Sequence, residues 1–490
     1  MKRFILLSLA CILAMAINAQ TLNVNIGDVT YAYPASLTGE MFYQNGTSLT
    51  IGNKTYTLSD ITSISIDDQP VVEKTVDINY SETGAKVRIS GDVAEYITAQ
   101  VNGGHVNIDA ASNLDKEVTY NLSGSSSNGS FYMTGSYKME LTMNDLTLVN
   151  PDSAAINIQN GKQTKVKVNG TNNLADGLSG ADDGSDGHKA VIYIDGHSEW
   201  NGGGTLIITG NVKHGLSTDE YVELKKNFGT LEIVGAPGDG LHVNQYFEMK
   251  GGNVTITTVG DGIDVGAKKS DKENNGQIII SGGFLQIAVS GDAVKGLKCE
   301  KDMTISGGRI IIGTSGEAIY DESENDLSSC AAIKCDGALT ISDGTLWLVS
   351  TGNGGKGINA DGAITINGGN ITVVTTGEVY EYGSLDTKPQ AVKSNGDITL
   401  AGGTILSCAS KNGGTAFKTD YQVLTNGATV MGIGGKATTA ANNSTCASYK
   451  YSGVNVQGGS TLSYNDVTFE IPTIYSNSSA KVMVSRKIED

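Results

Sequence analysis

Proline and tryptophan are nearly missing from this chain, six and two in 490 residues. So few prolines exclude a polyproline or collagen-like fibre and a proline-rich linker. Past the first twenty residues there is no run of 18 or more apolar residues, so the mature chain has no membrane-spanning helix. Basic residues are outnumbered, 34 Lys plus Arg against 52 Asp plus Glu, for a net charge of -18. A chain so acidic does not suit a nucleic-acid partner, whose binding rests on neutralised phosphates. Beyond Cys11 the cysteines are Cys299, Cys330, Cys335, Cys408 and Cys446. An odd, sparse set is no disulfide framework and reads mostly as small buried core residues, with one local bridge left open. The five histidines lack HExxH spacing and the cysteines lack a paired CxxC, which argues against zinc. A serine elbow, a phosphate-binding loop and a dinucleotide fingerprint are absent too.

The first residues, MKRFILLSLACILAMAINAQ, read as a secretory signal: Lys2 and Arg3 at the charged end, Phe4 to Ile17 apolar, and Ala19 at the expected cut. Residues 1–19 are therefore expected to be removed, and the mature protein to be secreted, periplasmic or on the cell surface. Glycine is the abundant residue, 64 in all, spread through threonine-rich, β-branched sequence. Aligned on Gly-Gly or Asp-Gly, the chain divides into repeats of 24 or 25 residues with occasional insertions, such as 229–252, 284–308 and 345–369. Each repeat holds three pieces that alternate apolar and polar, the mark of strands with one buried face. Three short strands per turn and no room for helices predict an all-β right-handed parallel β-helix of about eleven coils. A propeller is the other all-β repeat, but its blades need about 40 residues. Residues 20–115 lack the period and read as a small β-domain or cap, leaving 116–490 as the parallel β-helix.

Stacking turns equivalent positions into columns. With Leu241, Ile263 and Val294 as inward references, the stretches PGDGLHV, VGDGIDV and SGDAVKG bring Asp239, Asp261 and Asp292 into line with Asp264 beside them. Unit charges about 4.8 Å apart repel by roughly 3.5 kcal/mol at an effective dielectric of 20, so such a ladder calls for a cation. Calcium, which takes six to eight oxygens, is the expected one. The bland alternative is that Asp-Gly merely supplies turn residues. Lys295, Lys334 and Lys393 read as a cationic stripe beside the aspartates, and Tyr380 and Tyr382 as aromatics able to stack on sugar rings, although in a strand repeat such residues are more often core or cross-strand packing. Two further acidic stretches, GADDGSDG (180–187) and YDESENDLSS (320–329), read as solvated loops.

The GDGID motif on Gly-Gly-delimited coils resembles the secreted carbohydrate-binding β-helix proteins related to pectate lyases, over most of the chain from about residue 117. The resemblance implies binding of plant-type polysaccharides, acidic ones included, with calcium on the rod. In the related lyases of the family-nine type a lysine is the proton-abstracting base beside a calcium site of aspartates. By position Asp239, Asp261 and Asp264 match the calcium aspartates, and Lys295 falls near the base. One departure is Gly260, where those lyases carry a further acidic residue. The expectation is a calcium-dependent binder of acidic, uronate-containing polysaccharide. Two alternatives stay open: a lyase acting by β-elimination with Lys295 as catalytic base, and a structural surface rod or adhesin.

Overall fold

A computed structural model describes residues 20–177, 190–269 and 273–487; the leader at 1–19 and the GADDGSDG stretch lie outside these residues. The described residues form strands throughout, with one short helix at Ala35–Thr38. Alternation explains them. In Met303–Thr314 the side chains of Met303, Ile305, Ile310 and Ile312 point inward while Arg309 and Ile311 do not. Strands of successive repeats pair in parallel, and their inward residues stack: Ile256 on Ile287, Ile287 on Ile312, Ile312 on Leu348, Leu348 on Val373. All five are buried, and each such side chain contributes about 1.5–3 kcal/mol.

The Gly-Gly dipeptides are corners. Gly308 has φ +89, a left-handed conformation, and a Cβ on Gly307 would lie 2.5 Å from the Ser281 carbonyl oxygen of the preceding repeat. One glycine makes the bend and the other lets two backbones approach. From sequence, Gly-Gly and Asp-Gly mark breaks between strands, but Met303–Thr314 runs straight through Gly307-Gly308 and Leu339–Ser350 through Asp343-Gly344, with register shifts around Ser306.

Continuous corners change the architecture. Instead of separate ladders, one sheet of 27 strands forms, with many additional pairings, beside a second sheet of 13 strands. The large sheet is closed, a 12-strand parallel β-barrel carrying extra strands. The expectation of an open right-handed parallel β-helix is therefore corrected; the all-β class stands. The region before residue 116 joins the same sheet, since Thr75–Ser81 pairs in parallel with Val118–Ser126. At the other end, Asn477–Ser485 pairs antiparallel with Thr429–Gly434 and Ser448–Val456. The five cysteines among the described residues are free, and four of them are buried. No helix among the described residues is long and apolar enough to cross a membrane.

Candidate functional site

The 13-stranded sheet carries the residues singled out in the sequence. From His214 onward its strands are His214–Thr218, Leu241–Val243, Ile263–Val265, Lys295–Cys299, Ala331–Cys335, Lys356–Ala360, Val392–Ser394 and Phe417–Lys418, each beside the next. The inward column is Leu216, Leu241, Ile263, Leu297, Ile333, Ile358, Val392 and Phe417. Leu297, not Val294, faces Ile263, so the expected register is wrong by three residues in that one repeat. Asp292 consequently leaves the aspartate ladder. It is exposed and accepts the Glu317 backbone N–H at 2.8 Å. Lys295 takes the place assigned to it, and Lys298 pairs with Asp264.

The small residue before each inward one explains the GDGID pattern. A Cβ on Gly262 would sit 2.5 Å from Ile287 Cγ2 and 2.5 Å from the Gly296 oxygen, so glycine is required where this sheet closes on the core.

Asp239, Asp261 and Asp264 do come together, but with cations of the protein among them. Lys298 Nζ lies 3.1 Å from Asp264 Oδ1 and 3.4 Å from Asp261 Oδ2. His242 Nδ1 lies 3.0 Å from Asp239 Oδ2, and His214 Nδ1, 3.3 Å from the same oxygen, accepts the Asp239 backbone N–H at 2.9 Å. The two imidazoles stack with centroids 4.5 Å apart. Burial works to raise the Asp239 carboxyl, yet the imidazoles of His214 and His242 beside it outweigh burial and hold it far below the usual carboxylate range. The same contact with Asp239 raises His242. Burial raises Asp261, opposed by Lys298 and by the Lys295 backbone N–H at 2.6 Å from Oδ1. For Lys298, burial is outweighed by Asp264 and Asp261, which raise it.

This set does not fit the expected calcium. The ion prefers all-oxygen coordination with most of its charge balanced by carboxylates. Here imidazoles occupy one carboxylate and an ammonium bridges the other two, so the like-charge repulsion that called for a metal is already relieved by the protein.

Beyond Asp264 the same outward column continues as Lys298, Lys334, Asn359, Lys393 and Lys418. Lys334 Nζ is 2.6 Å from both Asp336 Oδ1 and Asp361 Oδ2; burial would lower it, but the two carboxylates raise it. Lys393 has no ion pair among the described residues. Lys298 went unnoticed in the sequence, whereas Lys418 falls in this column from the sequence alone but carries no role there. The signal for Lys298 was the small residue: GLKC matches GIDV and GLHV once Gly296 is set against Gly262 and Gly240.

The neighbouring column runs His214, Asp239, Asp261, Lys295, Ala331, Lys356. Two hairpins lean over its lysines, Ile319–Asp321 with Asp326–Ser328, and Tyr380–Tyr382 with Leu385–Thr387. The first is the stretch expected as a solvated loop, and its Ser328 Oγ accepts from Lys295 Nζ at 3.1 Å. Burial lowers Lys295. Lys356, which the sequence places in this column without a role, donates to Gly354 O, Thr387 Oγ1 and Lys388 O at 2.6, 2.7 and 2.8 Å. Tyr382, half exposed, stacks on Tyr320 with centroids 4.5 Å apart and planes 10° from parallel, while Tyr380 is half-buried. Of the tryptophans, Trp200 is core and Trp347 is exposed on the other sheet.

No curated protein matches the sequence. A solved structure, the polysaccharide lyase-like protein from C. thermocellum in its gadolinium derivative, is 20% identical with a TM-score of 0.42, over 55% of this chain and 96% of that one. That likeness is too distant to bear on fold or function. A family model described as carbohydrate-binding domain-containing protein matches residues 102–379, which hold both columns from His214 to Asn359. The match spans more than half of the chain, and the protein belongs to that carbohydrate-binding family.

Proposed function

We propose that the protein binds acidic polysaccharide along the outward lysine column of the 13-stranded sheet. The observation that carries this reading is the register: Lys298, Lys334, Lys393 and Lys418 follow one another on strands about 4.8 Å apart, interrupted once by Asn359. A net charge of -18 makes a row of four lysines a local exception to the surface, and such a row suits a chain of uronate carboxylates. Lys334 itself is largely buried, but the carboxylates now facing it, Asp336 and Asp361, are half-exposed and can turn to solvent to let a ligand carboxylate take their place. Tyr320 and Tyr382 add an aromatic pair beside the row. Export to the cell exterior, as the leading residues suggest, would place the protein among such polymers. Calcium is not needed for this contact.

The test is binding of polygalacturonate to the purified protein, with and without calcium or chelator. Substituting Lys334→Ala with Lys393→Ala should weaken binding about tenfold or more, at about 1.4 kcal/mol per decade. Unchanged affinity in the double variant would sink the reading, and loss of binding with chelator would restore calcium.

A second reading, a lyase, is favoured by the place of Lys295, half-buried in the aspartate column beneath the hairpin, where burial shifts its amine toward the neutral form that a base requires. The amine would take the proton next to the uronate carboxyl, the electron pair would form a C=C bond, and the glycosidic oxygen would leave. The same mixture, followed for absorbance of unsaturated uronate, decides it: absorbance lost in Lys295→Ala supports the lyase, and a flat trace rejects it.

A further inference from the structure

The 13-stranded sheet ends at Phe417–Lys418, a strand of two residues. The next repeat offers it no strand, only an isolated bridge from Thr415 to Lys436. The segment that follows, 436–442, crosses the end of the sheet and leaves a cavity of about 700 Å³. That volume falls within the range of about 300–1,000 Å³ usual for small-ligand sites.

The lining is specific. Three lysines face the cavity, Lys388, Lys418 and Lys436, with Gln390, Phe417 and Tyr421. Lys388 and Lys418 pair with the exposed Asp386 and Asp420. Lys436 is exposed and has no ion pair among the described residues. Gln390 is buried and commits its side-chain oxygen to the Thr415 N–H at 2.6 Å, so what it offers a ligand is chiefly N–H. Tyr421, 68% exposed, presents a ring at the cavity. Cations, an amide donor and an aromatic face together suit a sugar that carries a negative charge.

We infer that this cavity is a binding site for a short, carboxylate-bearing saccharide, adjoining the end of the lysine column at Lys418 and outside residues 102–379. The carboxylate meets Lys436 and Lys418, and a sugar ring lies on Tyr421. Only the acidic chemistry of the ligand rests on the function proposed above. Lys418 belongs to both sites, so the two can act on one chain, with its end in the cavity.

The test uses the whole protein and two probes, trigalacturonate and polygalacturonate, in calorimetric titrations, with a neutral galactose trisaccharide as the control. Lys436→Ala, a change at an exposed position, should weaken trigalacturonate binding about fivefold or more. The Lys334→Ala, Lys393→Ala double variant should leave trigalacturonate affinity within about twofold. Trigalacturonate that fails to bind while the polymer binds overturns the cavity and leaves the column standing. Trigalacturonate binding indifferent to Lys436→Ala also overturns it, and equal binding of the neutral trisaccharide overturns the assigned carboxylate. Conversely, trigalacturonate binding lost in Lys436→Ala, with polymer binding untouched in the double variant, supports the cavity and rejects the column.

Discussion

Lys356 is almost fully buried, and its oxygen partners are all uncharged. Burial, with Lys393 and Lys388 adding repulsion, pushes its ammonium down to about 7. In the unfolded chain the same group titrates near 10.4. Between these values the unfolded state binds more protons than the folded one, so stability rises with pH across that window. The contribution is complete above the unfolded value and is lost as pH falls toward 7. Urea unfolding at pH 7 and at pH 9.5 should show the wild type gaining on Lys356→Met by a few kcal/mol at most, since other groups titrate alike in both. Parallel pH profiles would show that the amine stays charged in the fold. At this scale the sequence was partly legible. Asp239, Asp261 and Asp264 were expected together and do adjoin, whereas Asp292 lies apart and the Lys295 amine turns to Ala293 O and Ser328 Oγ. What spoiled the ladder was one repeat with three extra residues, where SGDAVKG imitates VGDGIDV while GLKC is its true counterpart. The Asp-Gly dipeptide was the louder signal, but packing follows the small residue that lets Ile287 and Ile312 approach the sheet. With the register lost, Lys298 was invisible, and with it the ammonium that stands between Asp261 and Asp264.

Strands were legible because alternation reports burial directly, and the lines RIIIGT and TLWLVS needed only a period of two. Corners were legible as places but not as geometry. A Gly-Gly pair announces a bend, whereas whether hydrogen bonding continues through it depends on the strand of the neighbouring repeat. That is why separate ladders were expected and a closed sheet is found. The division of labour within a pair can be tested. Gly307→Ala places a Cβ 2.5 Å from the Ser281 oxygen, so two backbones must part. The cost should be about 2 kcal/mol or more, read as a lower urea midpoint. Gly203→Ala meets nothing within 4 Å and should shift the midpoint little. Equal effects would mean that the corners owe their glycines to chain entropy and not to contact. The insertions were the least legible elements. YDESENDLSS is polar enough to pass for a loop, yet it folds as a hairpin because Ser328 and its neighbour Ser329 find the amines of Lys295 and Lys356 beneath them.

On the scale of the whole molecule, attraction and repulsion act over different lengths. The chain carries -18 overall, and the lysine column is a small feature on that background. At about 0.01 M salt the screening length is near 30 Å, so a polyuronate approaching the column feels the charge of the entire protein and is repelled. Near 0.1 M the length falls to about 10 Å, the distant aspartates and glutamates drop out, and the column acts almost alone. At 1 M, with screening near 3 Å, even contacts between ammonium and carboxylate weaken. Affinity for polygalacturonate should therefore pass through a maximum at intermediate ionic strength, rather than fall steadily as it does for a basic protein on a polyanion. Association rates measured by surface capture across this range provide the check. A steady fall would mean that the column dominates the far field in spite of the net charge. No salt dependence at all would mean that hydroxyls, not carboxylates, are recognised, and the polymer to test next would be a neutral one.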